Sequence, residues 1–337
     1  MPDATAARAV RAALDAKTKP RGSLGRIEDL ARRIAAIRGS AELAPLRAAI
    51  VVAAADHGVA TEGVSAYPPE VTAQMVANFA RGGAAINVLA RRAGAELVVV
   101  DAGTLAPCRE PGVRVLRAGA GTANFVAEPA MSPRQCALCI ESGIALAREL
   151  GDGGVGIVGL GEMGIGNSTS AAAITAALLD REPREVCGRG TGVDDEQLAR
   201  KVGVVGAALR RHQGREPLEV LAAVGGFEIA FLTGVALGAA GQRLVVLLDG
   251  FIATSAALVA TALEPNARHA MIAAHLSPEP GHALALESLE LRPLLDLGMR
   301  LGEGTGAALA LPIVQSALAI VAEMATFADA GVSDAGG

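Results

Sequence analysis

Two acids stand among glycines, in Gly161-Glu162-Met163-Gly164 and in Gly302-Glu303-Gly304-Thr305-Gly306. Backbone without side chains on either side lets a ligand approach closely, so either carboxylate could take a proton as a general base. The same setting also suits a helix cap or a solvated acid. Beside Glu162, the run Gly164-Ile165-Gly166-Asn167-Ser168-Thr169-Ser170 opens an alanine-rich helical stretch. Its free backbone N–H groups and hydroxyls could hold a phosphate, or Asn167 or Ser168 could simply cap the helix. Only three of the 30 basic residues are lysines, Lys17, Lys19 and Lys201, all in or near glycine-containing motifs. Anion binding and a solvated charge are both open for each.

Other chemistries find less support. His57, His275 and His282 share no metal-ligand spacing, so hydrogen-bonded structural roles are expected of them and no metal site is expected. Cys136-x-x-Cys139 has no second pair at zinc spacing and lies in a helical stretch from Ser132 to Gly151, which makes both a buried helix face. With Cys108 and Cys187 they read as reduced thiols. Gly159-Leu160-Gly161-Glu162-Met163-Gly164 has dinucleotide-binding spacing, with Asp180 following. In a Rossmann unit that acid ends the next strand, whereas Asp180 ends the helical run Ser168 to Leu179. An NAD-dependent oxidoreductase and a non-catalytic nucleotide-binding protein are the alternative readings.

The elements that must position these groups alternate. Six short apolar runs, Arg47–Ala55, Leu97–Asp101, Val113–Ala118, Val155–Gly159, Leu244–Leu248 and Arg268–Ala274, are separated by long Ala/Leu-rich helical stretches. That alternation predicts an α/β fold, a three-layer α/β/α Rossmann-like parallel sheet. Ligands bind beyond the carboxyl ends of such strands, and those ends here are polar and glycine-rich. Residues 1–40 and 284–330 read as helical and are expected to form one small domain from both chain termini, around a large domain spanning 41–283. Residues 331–337 are expected to be a flexible tail.

With 337 residues, 51% hydrophobic, 19% charged and only 2% aromatic, the chain can fill a large core with small aliphatic side chains. Its charge of 30 − 35 = −5 argues against nucleic acid or an anionic membrane as partner. The uncharged run Gly304 to Ala322 approaches membrane-spanning length, but Pro312, Gln315 and its glycine-rich entry favour a buried helix. No transmembrane span is expected, and without an apolar leader the protein is expected to be cytoplasmic.

Seven motifs in order resemble the nicotinate-nucleotide–dimethylbenzimidazole phosphoribosyltransferase family over nearly the whole chain. They are Lys17-Thr18-Lys19-Pro20 with Gly22-Ser23-Leu24-Gly25; Asp56-His57-Gly58-Val59; Gly63-Val64-Ser65-Ala66-Tyr67-Pro68; Gly161 to Asn167; Gly188-Arg189-Gly190-Thr191-Gly192; His275-Leu276-Ser277 with Glu279-Pro280-Gly281-His282; and Leu301 to Gly306. Arg21, where a second proline is common, and Pro69 depart from the pattern. The resemblance implies transfer of the phosphoribosyl group of nicotinate mononucleotide to dimethylbenzimidazole, by a homodimer whose subunits border each other's sites, with no cofactor or metal. It implies that Glu303 is the base, with Glu162 and Lys201 beside the reacting centre. It further assigns Gly164, Gly166, Asn167 and Ser168 to phosphate, and Ser65, Tyr67, Gln74 and Leu301 to the base pocket. Gly190, Asp249, Ser277 and Gly302, which fall in or beside the remaining motifs, are expected to bind substrate.

Overall fold

The computed structural model describes residues 2–190 and 192–333; Thr191 of the glycine motif and residues 334–337 of the expected tail lie outside the described residues. The chain starts with helices α1 (Ala4–Asp15) and α2 (Arg26–Arg38) and then enters strand β1 (Arg47–Ala55). Helices α3 (Val71–Arg81) and α4 (Ala85–Ala93) lead to β2 (Glu96–Gly103) and the edge strand β3 (Arg114–Val115). Helix α5 (Pro133–Asp152), β4 (Val155–Met163) and α6 (Asn167–Leu179) follow. Next come α7 (Pro183–Val186), α8 (Asp195–Arg211), α9 (Pro217–Val224) and α10 (Phe227–Gly241). The last part runs β5 (Val245–Leu248), α11 (Phe251–Leu263), β6 (Met271–Ala273), α12 (Pro280–Ser288), α13 (Thr305–Glu323) and α14 (Phe327–Ala330).

The six strands form one parallel sheet in the order β3-β2-β1-β4-β5-β6, with Val51 opposite Val98 and Leu160, and Leu160 in turn opposite Leu248. In β1 every residue after Arg47 is buried, as expected of a strand covered on both faces. The order reverses between β1 and β4, which opens a crevice at the carboxyl ends of the strands there. The α/β expectation holds, with three boundary corrections. Strand β3 has two residues rather than the expected Val113–Ala118: beyond Val115 the chain follows β2 through the Leu116 N–H to Asp101 O, Ala118 N–H to Ala102 O and Gly121 N–H to Gly103 O bonds. Pro265–Ala270 is a 3₁₀ turn capped by Glu264, so β6 starts only at Met271. Strand β4 runs to Met163, which puts Glu162 on the sheet rather than in a loop.

Ser132 caps α5 in a capping box with Gln135, with Pro133 in the first turn. Cys136 and Cys139 lie on its buried stripe with Leu146 and Leu150, and all four cysteines are free. Gly143 and Gly234 let the α5 and α10 backbones touch. The two chain ends meet: Thr18 N–H donates to Ala325 O at 3.1 Å and Phe327 N–H to Ala16 O at 3.0 Å. Helix α13 is long and apolar enough to cross a membrane, yet here it packs against α2, α4, β4 and β5, and Gln315 bonds the Leu46 backbone at the entrance to β1. Val332 N–H donates back to Phe327 O, so the expected tail begins as a tied helix end.

Candidate active site

A cavity opens at the carboxyl ends of β4, β5 and β6, beside the switch point, and is closed by the segments around Ser65, Gly190 and Leu301. The carboxyl ends of β1 and β2 do other work. Asp101 accepts N–H bonds from Gly103, Thr104 and Cys108, and Asp56 accepts from Leu105, so these acids fold the loops around them.

One end of the cavity suits an anion. Helix α6 starts at Gly166, whose φ of +97° turns the chain sharply and which supplies no side-chain cap, so the start of the helix faces the cavity. Lys201 is 1% exposed; its Nζ donates to Ser168 Oγ at 2.9 Å and to Gly188 O at 3.1 Å. Burial lowers its proton affinity, while the charges of Glu279 and Cys187 oppose that. Glu279 accepts the Gly190 N–H at 2.8 Å and so shapes the opposite lip. Ser277 is held by its N–H bond to His282 Nδ1 at 2.9 Å. Burial, with His275 nearby, pushes His282 down to about 3, so its neutral ring accepts from Ser277 and has Nε2–H left to donate to Thr254 Oγ1.

The other end is acidic. Glu162 closes β4, its Oε1 lies against the bare Cα of Gly302, and the Asn167 side chain donates to its Oε2. Gly302, Glu303 and Gly304 have φ of +78°, +62° and +82°, a left-handed run that glycine tolerates and that swings Glu303 inward. The loop rests directly on β4: a Cβ on Gly161 would lie 2.5 Å from Gly304 N and 2.6 Å from Glu303 C. Asp249, past β5, accepts from Gly304 N–H at 3.0 Å and Gly306 N–H at 2.6 Å. Burial, then the Glu228 charge, pushes Glu162 up to about 8 against the Asn167 hydrogen bond. Burial, then Asp249, pushes Glu303 up to about 7. Its Oε2 is buried without a partner. These are protonatable carboxyls near neutral pH, as proton transfer requires.

Of the expected site residues, Ser65, Glu162, Gly164, Gly166, Asn167, Ser168, Gly190, Ser277, Leu301 and Gly302 line this cavity together. Five do not. Lys201 acts from behind Ser168, and Glu303 lies behind Gly302, beside the backbone N–H of Ile86 at the start of α4. Asp249 stands at the α13 entrance rather than on the cavity wall, its two oxygens each accepting a backbone N–H. Tyr67 is 52% exposed and Gln74 is exposed on α3, both outside the cavity wall. His275, Glu279 and Arg300 also line it without having been assigned to the site; His275, expected in a structural role, and Glu279 stand in the motif that follows β6. His57, bonded to Ser170 and Glu228, has the structural role expected. The dinucleotide spacing makes no turn, because Gly159 and Gly161 lie inside β4 and Asp180 ends α6. Among the described residues no group of three or more His, Cys, Asp or Glu is arranged to hold a metal ion.

Comparison with known proteins shows the family of the chain. A family model described as phosphoribosyltransferase matches residues 1–332. The chain belongs to that family. It is 53% identical over 335 residues to the nicotinate-nucleotide–dimethylbenzimidazole phosphoribosyltransferase of Chloroflexus aggregans, covering 98% of this chain and 95% of the relative. The enzyme of the same name from Cupriavidus taiwanensis is 50% identical, over 97% and 95% of the two chains. Among solved structures, CobT from Thermus thermophilus superposes with a TM-score of 0.94 at 48% identity, over 98% of this chain and 99% of that one. The fold shared with that structure is this six-stranded parallel sheet, with Glu162 on it and the Glu303 loop resting against it.

Proposed function

We propose that this chain transfers the 5-phosphoribosyl group of nicotinate mononucleotide to dimethylbenzimidazole, giving α-ribazole 5'-phosphate and nicotinate. The observation that carries this is the pairing of an uncapped helix start backed by Ser168 and Lys201 with two acids of raised proton affinity beside it. The phosphate sits on the α6 start, contacted by Gly164, Gly166, Asn167 and Ser168, with Gly190 and Ser277 across from it. The glycosidic bond breaks with its electron pair going to the pyridinium nitrogen, so nicotinate leaves without a general acid. A benzimidazole nitrogen attacks the anomeric carbon from the opposite face, which inverts it. The proton on the second benzimidazole nitrogen passes to Glu303, and Glu162 supports the positive sugar in the transition state. Since the leaving group is already cationic, these steps balance without a cofactor.

Ser65 and Leu301 are assigned to the incoming base from the cavity wall, and Tyr67 and Gln74 from the exposed segments outside that wall. The protein works as a cytoplasmic homodimer, with residues 1–40 and 284–330 as a small helical domain beside the large one. The test is chromatography of purified protein with nicotinate mononucleotide and a panel of benzimidazoles, purines and phenols. Release of nicotinate with formation of a ribosylated base supports the reading. No nicotinate release with any acceptor overturns it.

A further inference from the structure

We propose that Asp249 is the positioning residue of the Glu303 loop: its carboxylate clamps the backbone of Gly304 and Gly306, with the His275 ring as its buried counter-group, and this pair sets where Glu303 stands and the field in which it works. The inference rests on the proposed reaction and extends it to residues outside the reacting centre. Asp249 is 1% exposed at the carboxyl end of β5. Its two oxygens each take one N–H, from Gly304 at 3.0 Å and Gly306 at 2.6 Å, on either side of the first residue of α13. A carboxylate supplied by a strand thus caps α13, which has no side-chain cap of its own.

His275 completes the arrangement. Its Nε2 is 3.5 Å from Asp249 Oδ1, and its ring packs on Gly306 so closely that a side chain there would overlap it. Its Nδ1 is buried and without a partner, so Asp249 is the carboxylate its ring meets in the buried interior. The fixed loop leaves Glu303 in a left-handed conformation with one carboxyl oxygen unpartnered. Glu303 is faced by Asp249 from β5 and the Ile86 N–H of α4, and its charge reaches Glu162 on β4; His275 from the end of β6 meets Asp249, Glu228 lies near Glu162, and Asp296 near His275. Among these, Asp249 is the charge that works on Glu303 most directly, and His275 is the group able to offset it.

Asp249→Asn presents an amide N–H₂ to one of two backbone N–H groups, so it releases the loop and removes the negative charge together. His275→Gln keeps a donor toward Asp249 but removes the ring's capacity for positive charge. The experiment compares both with the wild type in two readouts: the pH dependence of kcat for phosphoribosyl transfer, and difference-infrared titration of the Glu303 carboxyl, with Glu303→Gln as the subtraction. In Asp249→Asn, kcat should fall by about 10²-fold, the cost of misplacing a reacting group by about 1 Å, with little change in nucleotide affinity. Its Glu303 titration should move to lower pH, because the repelling charge is gone. In His275→Gln the titration should move to higher pH, because Asp249 is left uncompensated. Opposite displacements are something a purely structural role would not produce. Near-normal kcat and an unmoved titration in Asp249→Asn overturn the proposal. If that variant fails to fold, an unmoved titration in His275→Gln overturns it. A wild type that releases no nicotinate sinks the reaction, and the infrared arm still decides the clamp.

Discussion

The side-chain amide of Asn167 donates to the Glu162 carboxylate, which ties the first residue of α6 to the end of β4. The start of α6 and the acidic wall of the cavity are therefore joined by a side-chain hydrogen bond.

Glu303→Gln should keep the fold and bind both substrates but lose about 10²–10⁴-fold in kcat, the usual cost of removing a general base. The amide is nearly isosteric and the flanking glycines keep the left-handed loop. In the wild type kcat should rise with pH through about 7, as Glu303 loses its proton and becomes able to accept one. Glu162→Gln is the control. Near-normal turnover in Glu303→Gln with loss in Glu162→Gln would exchange the roles of the two acids.

Stability should carry the mark of Glu162. Its folded proton affinity corresponds to about 8, against 4.5 unfolded, so the folded state holds a proton that the unfolded state gives up. Stability from this group is complete below about 4.5 and is lost as pH rises through about 8. Glu162→Gln should remove that slope and stabilise the protein at pH 8.5, by something on the order of a few kcal/mol, with little effect at pH 4.5. Thermal melts of both proteins across the range test it. Parallel Tm curves would show that Glu162 does not titrate in this window.

Ser168→Asp should weaken nucleotide binding by about 10–10²-fold while leaving base binding nearly unchanged. An acid in the first helical turn is tolerated, and Lys201 stands 2.9 Å from the Ser168 hydroxyl to pair with it, in place of a phosphate. Calorimetry on each ligand separately distinguishes this from general damage. Gly166→Asp is a poorer probe, because φ of +97° strains any side chain there.

Glu228→Ala should destabilise the fold by about 3–5 kcal/mol, because it strips the buried His57 ring of a carboxylate 2.7 Å away. His57 also bonds Ser170 in α6, so the loss should loosen the phosphate end as well. Denaturant unfolding measures the first effect. Midpoints within error of the wild type would mean that the pair adds nothing to stability.

Gly161→Ala should lower kcat and, because the clash is with backbone, also lower thermal stability. Its Cβ would push on Gly304 N and Glu303 C, both at or below 2.6 Å, and the loop must shift to make room. A kcat equal to that of the wild type would show that the Glu303 loop tolerates such a shift.

The amino-acid sequence by itself determined the fold class and most of the cavity wall. Alternating apolar runs and Ala/Leu-rich helices can bury their faces only as a covered parallel sheet, and chemistry in such a sheet collects at the carboxyl ends of the strands. Hence Glu162, the Gly164 to Ser168 run, Ser277 and the Leu301 to Glu303 segment were legible from glycine-rich strand ends and from the resemblance they carry. Only the tertiary structure decided the division of labour among those ends. Asp56, Asp101 and Asp249 look alike in sequence, yet all three fold backbone: Asp101 takes N–H groups of the loop that follows it, while Asp56 and Asp249 take N–H groups that arrive from residues elsewhere in the chain. Glu162 is on a strand because β4 stays paired with β1 as far as Met163, and Gly161 beside it admits the Glu303 loop from the far end of the chain, a contact that no local periodicity encodes. The raised proton affinities of Glu162 and Glu303 arise from burial among other acids. Burial belongs to the packed chain, so a glycine-flanked acid in sequence reads equally as a solvated one until the sheet, α6 and α13 close around it.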